Sequence, residues 1–297
     1  MSTEQLREEI LGSNGFARWL WKEKQKEKLS GKKLSGKTLA ARAQARIQGE
    51  LGEVNCANVN EYLCKLLDVE YEIYLELERE IIEGAVEAFL TADKQLQNKY
   101  YPELQQLFAE LQQQLAAGSE PRELLIAVSK RLAQFYKLLV ESFAQSRKTR
   151  AGGSAQYHVE FILNQLGYRG FYERQRKLNG TVDFLFPSLK MWQQDRRRCT
   201  VLSIKRTLRE RYKQVFQELS TTKGLTMYLM TTQPKEAAEK DITTEKVNVI
   251  SQQNVYLVVR DEIKQERFLD TPSVLGFTDF FCKELPRLKP NWESTAT

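Results

Sequence analysis

The stretch Val201-Leu-Ser-Ile-Lys205-Arg-Thr-Leu-Arg-Glu-Arg-Tyr-Lys-Gln-Val-Phe-Gln-Glu218 decides how this chain is read. Leu202 and Ile204 alternate with Ser203 and Lys205, which predicts a β-strand with one buried face and one chemical face. Directly after it, Tyr212, Val215, Phe216 and Leu219 recur at helical spacing. A strand thus delivers a lysine. The helix that leaves it delivers Arg209, Glu210 and Arg211 from its first turn and Glu218 from its third.

Upstream, Thr181-Val-Asp183-Phe-Leu-Phe186 reads as a second strand with a carboxylate set among residues fit for burial. Such a carboxylate costs free energy unless it is paired or holds a cation. Glu218 lies thirteen residues after Lys205, and Glu160 lies twenty-three before Asp183 on a helix that enters this part of the chain. One lysine and three carboxylates can therefore converge at one edge of a sheet; a buried salt-bridge network is the alternative use of the same residues. The residue types suit phosphodiester hydrolysis. Carboxylates hold a hard cation such as Mg²⁺, which neutralises the phosphate and lowers the pKa of an attacking water. A lysine beside them orients that water and offsets the charge building on phosphorus.

The pattern Asp183…Ser203-Ile-Lys205-x12-Glu218 resembles the active-site signature of type II restriction endonucleases, in the PD-(D/E)XK variant whose second acidic ligand sits on the helix after the lysine strand. Lys205-Arg-Thr-Leu-Arg209-Glu210-Arg211 is similar to the EcoRII/SsoII-type branch, which reads CC and GG elements as in CCNGG, CCWGG or CCGG. Val182 stands where the superfamily often has proline. The resemblance covers roughly residues 147 to 219. It implies an α/β fold: a restriction-endonuclease-like mixed central sheet flanked by helices, preceded by an N-terminal helical region. It further implies Asp183, Glu218 and Glu160 as Mg²⁺ ligands, Lys205 as the group acting on water, a double-stranded DNA substrate, a homodimer and a prokaryotic cytoplasm. Arginine donates twice to guanine and glutamate accepts from cytosine N4 in the major groove, so Arg209, Glu210 and Arg211 are the candidate base readers. A repair or recombination nuclease of the same fold, or a non-catalytic DNA-binding protein, are the rival readings.

Composition sets the remaining bounds. At 297 residues, with 41% hydrophobic and 28% charged residues, the chain has ample core for one large or two ordinary domains. No apolar run approaches a membrane span, and the N-terminus does not read as a signal peptide. Four cysteines without a CxxC pair and a single histidine argue against zinc and fit reduced thiols. Net charge is +6, distributed unevenly. Residues 22–48 carry nine Lys/Arg against two acids, residues 190–213 repeat that count, and residues 68–87 carry eight acids and one arginine. The basic stretches suit either a phosphate-facing surface or ordinary solvated charge.

Along the chain, helices are expected over 58–97, 102–117 and 121–146, followed by a basic hinge with two glycines at 146–154 and an amphipathic helix to Gly167. The division expected is 1–146 as a helical region for DNA contact and dimerisation, and 147–297 as the nuclease domain. Strands are expected in the segments TVDFLFP, CTVLSIK, LTMYLMTT, KVNVIS and NVYLVV, with a final helix in VLGFTDFFCKEL. Gly31-KKLS-Gly36-Lys37-Thr38 matches a phosphate-loop pattern but follows KEKQKEKLS, which offers no buried strand to aim it, so no ATP site is expected.

Overall fold

The computed structural model describes residues 36–91, 103–174, 182–208 and 226–293. They divide into two compact units: Tyr74–Arg150, and Gly36–Ile73 with the chain from Ala151 onward. The second unit contains a six-stranded mixed sheet in sequential order. Strands β1 (Glu173–Arg174), β2 (Phe184–Phe186) and β3 (Thr200–Lys205) pair antiparallel, and β3, β4 (Met227–Thr231), β5 (Val255–Val259) and β6 (Val274–Gly276) pair parallel.

Both faces of this sheet are buried, as a parallel sheet requires. On one face Phe184, Phe186, Leu202, Ile204, Tyr228, Met230 and Val258 form a core with Phe277, Phe280 and Trp292 near the C-terminus. Helix α1 (Gly36–Leu51) adds Ala43 and Ile47, α2 (Val59–Leu90) adds Val59, Tyr62, Leu63 and Leu66, and α4 (Pro121–Gln165) adds Ala155, Val159, Ile162 and Leu163. On the other face Leu185, Val201, Met227, Leu229, Val255, Leu257 and Val259 meet Met191 of α5 (Leu189–Asp195), Ala238 of α6 (Lys235–Asp241), Val247 and Ile250 of α7 (Thr244–Ser251) and Ile263 of α8 (Asp261–Arg267). Residues 36–73 therefore belong to the sheet unit, whereas the expected division put everything before 147 in one helical region. Their apolar stripe is long enough to roof the sheet, and Phe184 and Leu202 give it a surface to cover. In the first unit, α3 (Glu103–Ala116) buries Leu104 and Leu107, and α4 buries Leu132. Arg131 donates to both carboxylate oxygens of Glu110 at 3.0 Å.

Several local expectations give way to tertiary context. The glycine hinge at 146–154 is helix: α4 runs unbroken from Pro121 to Gln165. Two mid-helix glycines cost roughly 1 kcal/mol each relative to alanine, less than the packing of the turns on the C-terminal side supplies. Lys246-Val-Asn-Val-Ile-Ser251 reads as a strand from its β-branched residues, yet it forms α7, capped by the Thr243 hydroxyl accepting from the Lys246 amide. A parallel β4–β5 pair needs a crossover, and helical pitch lets Val247 and Ile250 share a buried face. Val274-Leu-Gly276, expected as helix, is edge strand β6; the chain then turns helical through Phe277–Asp279, a π-helical segment Phe280–Glu284 and α10 (Leu285–Glu293, with α9 being Phe277–Asp279). The strand expected to have one polar face, β3, is buried on both, Ser203 included. Gly36, the second glycine of the phosphate-loop match, opens α1. Among the described residues no helix is long and apolar enough to cross a membrane.

The thiols also differ from expectation. Cys56 and Cys282 are joined by a disulfide, while Cys64 and Cys199 are free and buried. The bond ties the α1–α2 turn to the C-terminal helical segment across 226 residues of sequence. A crosslink closing so long a loop restricts the unfolded chain strongly. Two free thiols rather than four are expected on titration of the denatured, non-reduced protein. Cys56→Ser should lower unfolding free energy by about 2 to 5 kcal/mol in a urea titration, with reductant producing the same shift in the wild type and none in the variant.

Candidate active site

Asp183 and Lys205, singled out in the sequence, lie together at the carboxyl end of β3, the end at which ligands bind in open α/β sheets. Lys205 is the last residue of β3, half-buried, and its carbonyl accepts from the Thr232 amide at 3.1 Å beyond the end of β4. Asp183 sits just before β2. Its amide donates to Leu202 O at 3.1 Å, and its Oδ2 accepts from the Ile204 amide at 2.5 Å. The aspartate is thereby latched to the backbone between Ser203 and Lys205. Ser203 Oγ is fully buried without a hydrogen-bond partner among the described residues.

The other oxygen of Asp183 accepts from Gln156 Nε2, on α4. Gln156 Oε1 in turn accepts from Arg174 Nη2 at 2.9 Å, and Arg174 Nη1 reaches Glu160 Oε2 at 3.0 Å. The guanidinium also lies over the Tyr157 ring, 4.2 Å from its centroid. Asp183, Gln156, Arg174 and Glu160 form one hydrogen-bonded line that joins β2, α4 and β1. The turn of α4 that carries it is braced from behind. Gln44 of α1 donates to Tyr157 O at 3.1 Å, and buried His158 meets Glu70 of α2 at 2.6 Å.

Burial pushes the Asp183 carboxyl above its ordinary value. The Ile204 amide, the Lys205 and Arg174 charges and the Gln156 amide pull in the opposite direction and do not fully compensate. An ionised carboxylate held under such conditions favours a cation. Among the described residues no three His, Cys, Asp or Glu side chains cluster closely enough to hold a metal ion. Asp183 and Glu160 are oxygen donors, and each carboxylate retains acceptor capacity beyond the bonds given above. That donor chemistry suits a hard divalent ion such as Mg²⁺.

The loop leaving β3 is anchored as well. The Leu208 amide donates to Asp241 Oδ2 at 2.7 Å, Lys246 holds Asp241 Oδ1 at 2.8 Å, and Leu208 is buried. Arg206 lies over the exposed Tyr71 ring of α2, 5.4 Å from its centroid.

Of the residues singled out in the sequence, Asp183, Lys205 and Glu160 are brought to this one region. Glu218, Arg209, Glu210 and Arg211 lie outside the described residues. Gln156, Tyr157 and Arg174 were not anticipated. A signal existed for Gln156, which sits four residues before Glu160 and so on the same helical face. Nothing in the basic run after Tyr172 marks Arg174.

The family model EcoRII-C, described as EcoRII C terminal, matches residues 112–281, more than half of the chain. The chain belongs to the EcoRII C-terminal family. Within and around that family, the type II restriction enzyme SsoII of Shigella sonnei is 25% identical over 167 residues, covering 53% of this chain and 52% of SsoII. The chain thus spans about half the length of that curated relative. Metal-depleted Ecl18kI in complex with uncleaved DNA superposes with a TM-score of 0.70 at 18% identity, covering 100% of this chain and 88% of Ecl18kI. The PspGI–substrate DNA complex gives 0.54 at 15% identity, covering 91% and 97%. The fold is therefore the PD-(D/E)XK restriction-endonuclease fold.

The raised Asp183 carboxyl has a thermodynamic sign. A group that binds its proton more tightly when folded contributes stability present at low pH and lost as pH rises through the folded value. Ion-free wild-type protein should therefore lose thermal stability relative to Asp183→Asn as pH climbs from the ordinary 3.8 through the raised value. Differential scanning fluorimetry of both proteins across that range measures it; parallel curves would contradict the assignment.

Proposed function

We propose that this EcoRII C-terminal family member is a type II restriction endonuclease. It hydrolyses double-stranded DNA with Mg²⁺ at a short palindromic site containing CC/GG elements, acts as a homodimer and resides in a prokaryotic cytoplasm. The observation that carries the reading is the latch of Asp183 onto the Ile204 amide, which holds a desolvated carboxylate beside the terminal lysine of an S-x-K strand. Family membership supports it, as do relatives whose own structures contain DNA. Palindromic duplexes match a two-fold protein axis, which favours the dimer.

In this reading Asp183 and Glu218 hold the cation, with Glu160 as a further ligand. When bound, the ion supplies charge neutralisation at the phosphate and acidifies water. The Lys205 ammonium orients the attacking water and offsets the negative charge that builds as the scissile bond stretches. The Ile204 amide keeps Asp183 from rotating away while this happens. Arg209, Glu210 and Arg211 read adjacent C·G pairs, Arg to guanine O6 and N7 and Glu to cytosine N4. The Leu208–Asp241 bond fixes the residue from which they depart.

Two measurements test this. Lys205→Ala should slow single-turnover cleavage of a cognate duplex by at least about a hundredfold while its affinity for that duplex, measured with Ca²⁺, stays near wild type. A variant that cuts normally removes the nuclease site from these residues. Glu210→Ala should lose about 1–3 kcal/mol of discrimination between cognate and scrambled duplexes with unchanged thermal unfolding, and retained specificity would take base reading away from this tripeptide.

A further inference from the structure

We infer that Gln156 and Arg174 are positioning residues of the metal site, acting on the cation through the orientation they impose on Asp183. This rests on the nuclease reading above and adds to it two residues that the S-x-K pattern does not contain.

The argument begins with donors and acceptors. A glutamine side chain presents an oxygen at one end and an NH₂ at the other, and which one faces which neighbour is set by its surroundings. Arginine has donors only. Because Arg174 Nη2 lies 2.9 Å from the Gln156 amide, that contact must use Oε1, and Nε2 is left to point at Asp183. The arginine thereby fixes the polarity of the glutamine, and the glutamine presents a donor to one carboxylate oxygen while the Ile204 amide takes the other. With both oxygens held, the plane of the Asp183 carboxylate is set, and its remaining lone pairs face a defined direction.

Arg174 is itself immobilised. Glu160 binds one of its terminal nitrogens at 3.0 Å and the Tyr157 ring lies under its plane. Glu160, Tyr157 and Gln156 all belong to one turn of α4, so the guanidinium spans the two ends of an i, i+4 pair. Only a planar, forked cation can do this; a lysine ammonium is a point charge that cannot hold Glu160, Gln156 and the ring face together. The strand that carries Arg174, β1, is two residues long and pairs with β2 in a register that sets Arg174 opposite Phe184, the neighbour of Asp183. The backbone thus delivers the arginine next to the residue it acts on.

Such outer contacts are typically worth a 10- to 100-fold change in metal affinity or activity. The test uses the 297-residue chain bound to a cognate duplex. Mn²⁺ binding is measured by titration calorimetry, and single-turnover cleavage is followed over a Mg²⁺ series. Gln156→Met keeps the volume and removes the donor; Arg174→Lys keeps the charge and removes the fork. Each should weaken Mn²⁺ binding by about 10- to 100-fold and raise the Mg²⁺ needed for half-maximal cleavage in proportion. Cleavage at saturating Mg²⁺ should recover most of its rate, and far-UV circular dichroism of the ion-free protein should match wild type, although its unfolding temperature falls because each variant strips a partner from a part-buried polar group. Wild-type Mn²⁺ affinity in folded Gln156→Met would overturn the inference, as would wild-type affinity in Arg174→Lys. Asp183→Ala separates this from the reading beneath it: if that variant still binds Mn²⁺ and cuts, the metal site itself is misplaced and the network falls with it.

Discussion

A carboxylate that water has largely left is the constraint on which the site depends. Asp183 would be costly where it stands if it were not held by the Ile204 amide on one side and the Gln156 amide on the other. Both donors come from elements that the rest of the fold must first put in place. Ile204 is delivered by the β2–β3 ladder, and Gln156 by the seating of α4 on the face of the sheet that carries Leu202 and Ile204. The core and the chemistry are one arrangement seen from two sides.

That dependence explains why helices from the start of the described chain belong to the sheet unit. Helices α1 and α2 roof the same face, and they also grip the working turn of α4, through Gln44 on the Tyr157 carbonyl and Glu70 on buried His158. A buried acid–histidine pair contributes little net stability once desolvation is counted, and breaking one partner is expensive. Its effect is to restrict α4 to one rotation, the one that aims Gln156 and Glu160 at β1 and β2. The Cys56–Cys282 bond adds a covalent tie between this roof and the C-terminal helices that complete the same core.

The paired arginine and amide around Asp183 also separate two tasks. Lys205 and the carboxylates are the groups that would meet ion, water and phosphate. Gln156, Arg174 and Tyr157 would meet none of them directly and act by holding geometry. Sites that must bind a divalent ion at oxygen donors gain from rigid donors, because each fixed orientation removes entropy that binding would otherwise have to remove.

The legible part of this protein was local. Alternation in Val201–Lys205 and the apolar run Phe184–Phe186 marked strands β3 and β2, and the lysine that ends one and the aspartate just before the other stood out because their polarity contradicts the pattern around them. Helical periodicity marked α2, α3 and α4. Where local pattern misled, reading Lys246–Ser251 as a strand and Val274–Gly276 as helix, neighbours decided otherwise: a crossover had to be helical, and an open sheet edge accepted a short strand. Two glycines that look like a hinge were absorbed by a helix whose following turns pack into the core through Ala155, Val159 and Ile162. The mates of Asp183 were not legible. Gln156 and Arg174 lie 27 and 9 residues away on a helix and a two-residue strand, and no period or motif links them to it. Side-chain type and spacing report on burial within one element, whereas the choice of hydrogen-bond partner is made only when separate elements dock.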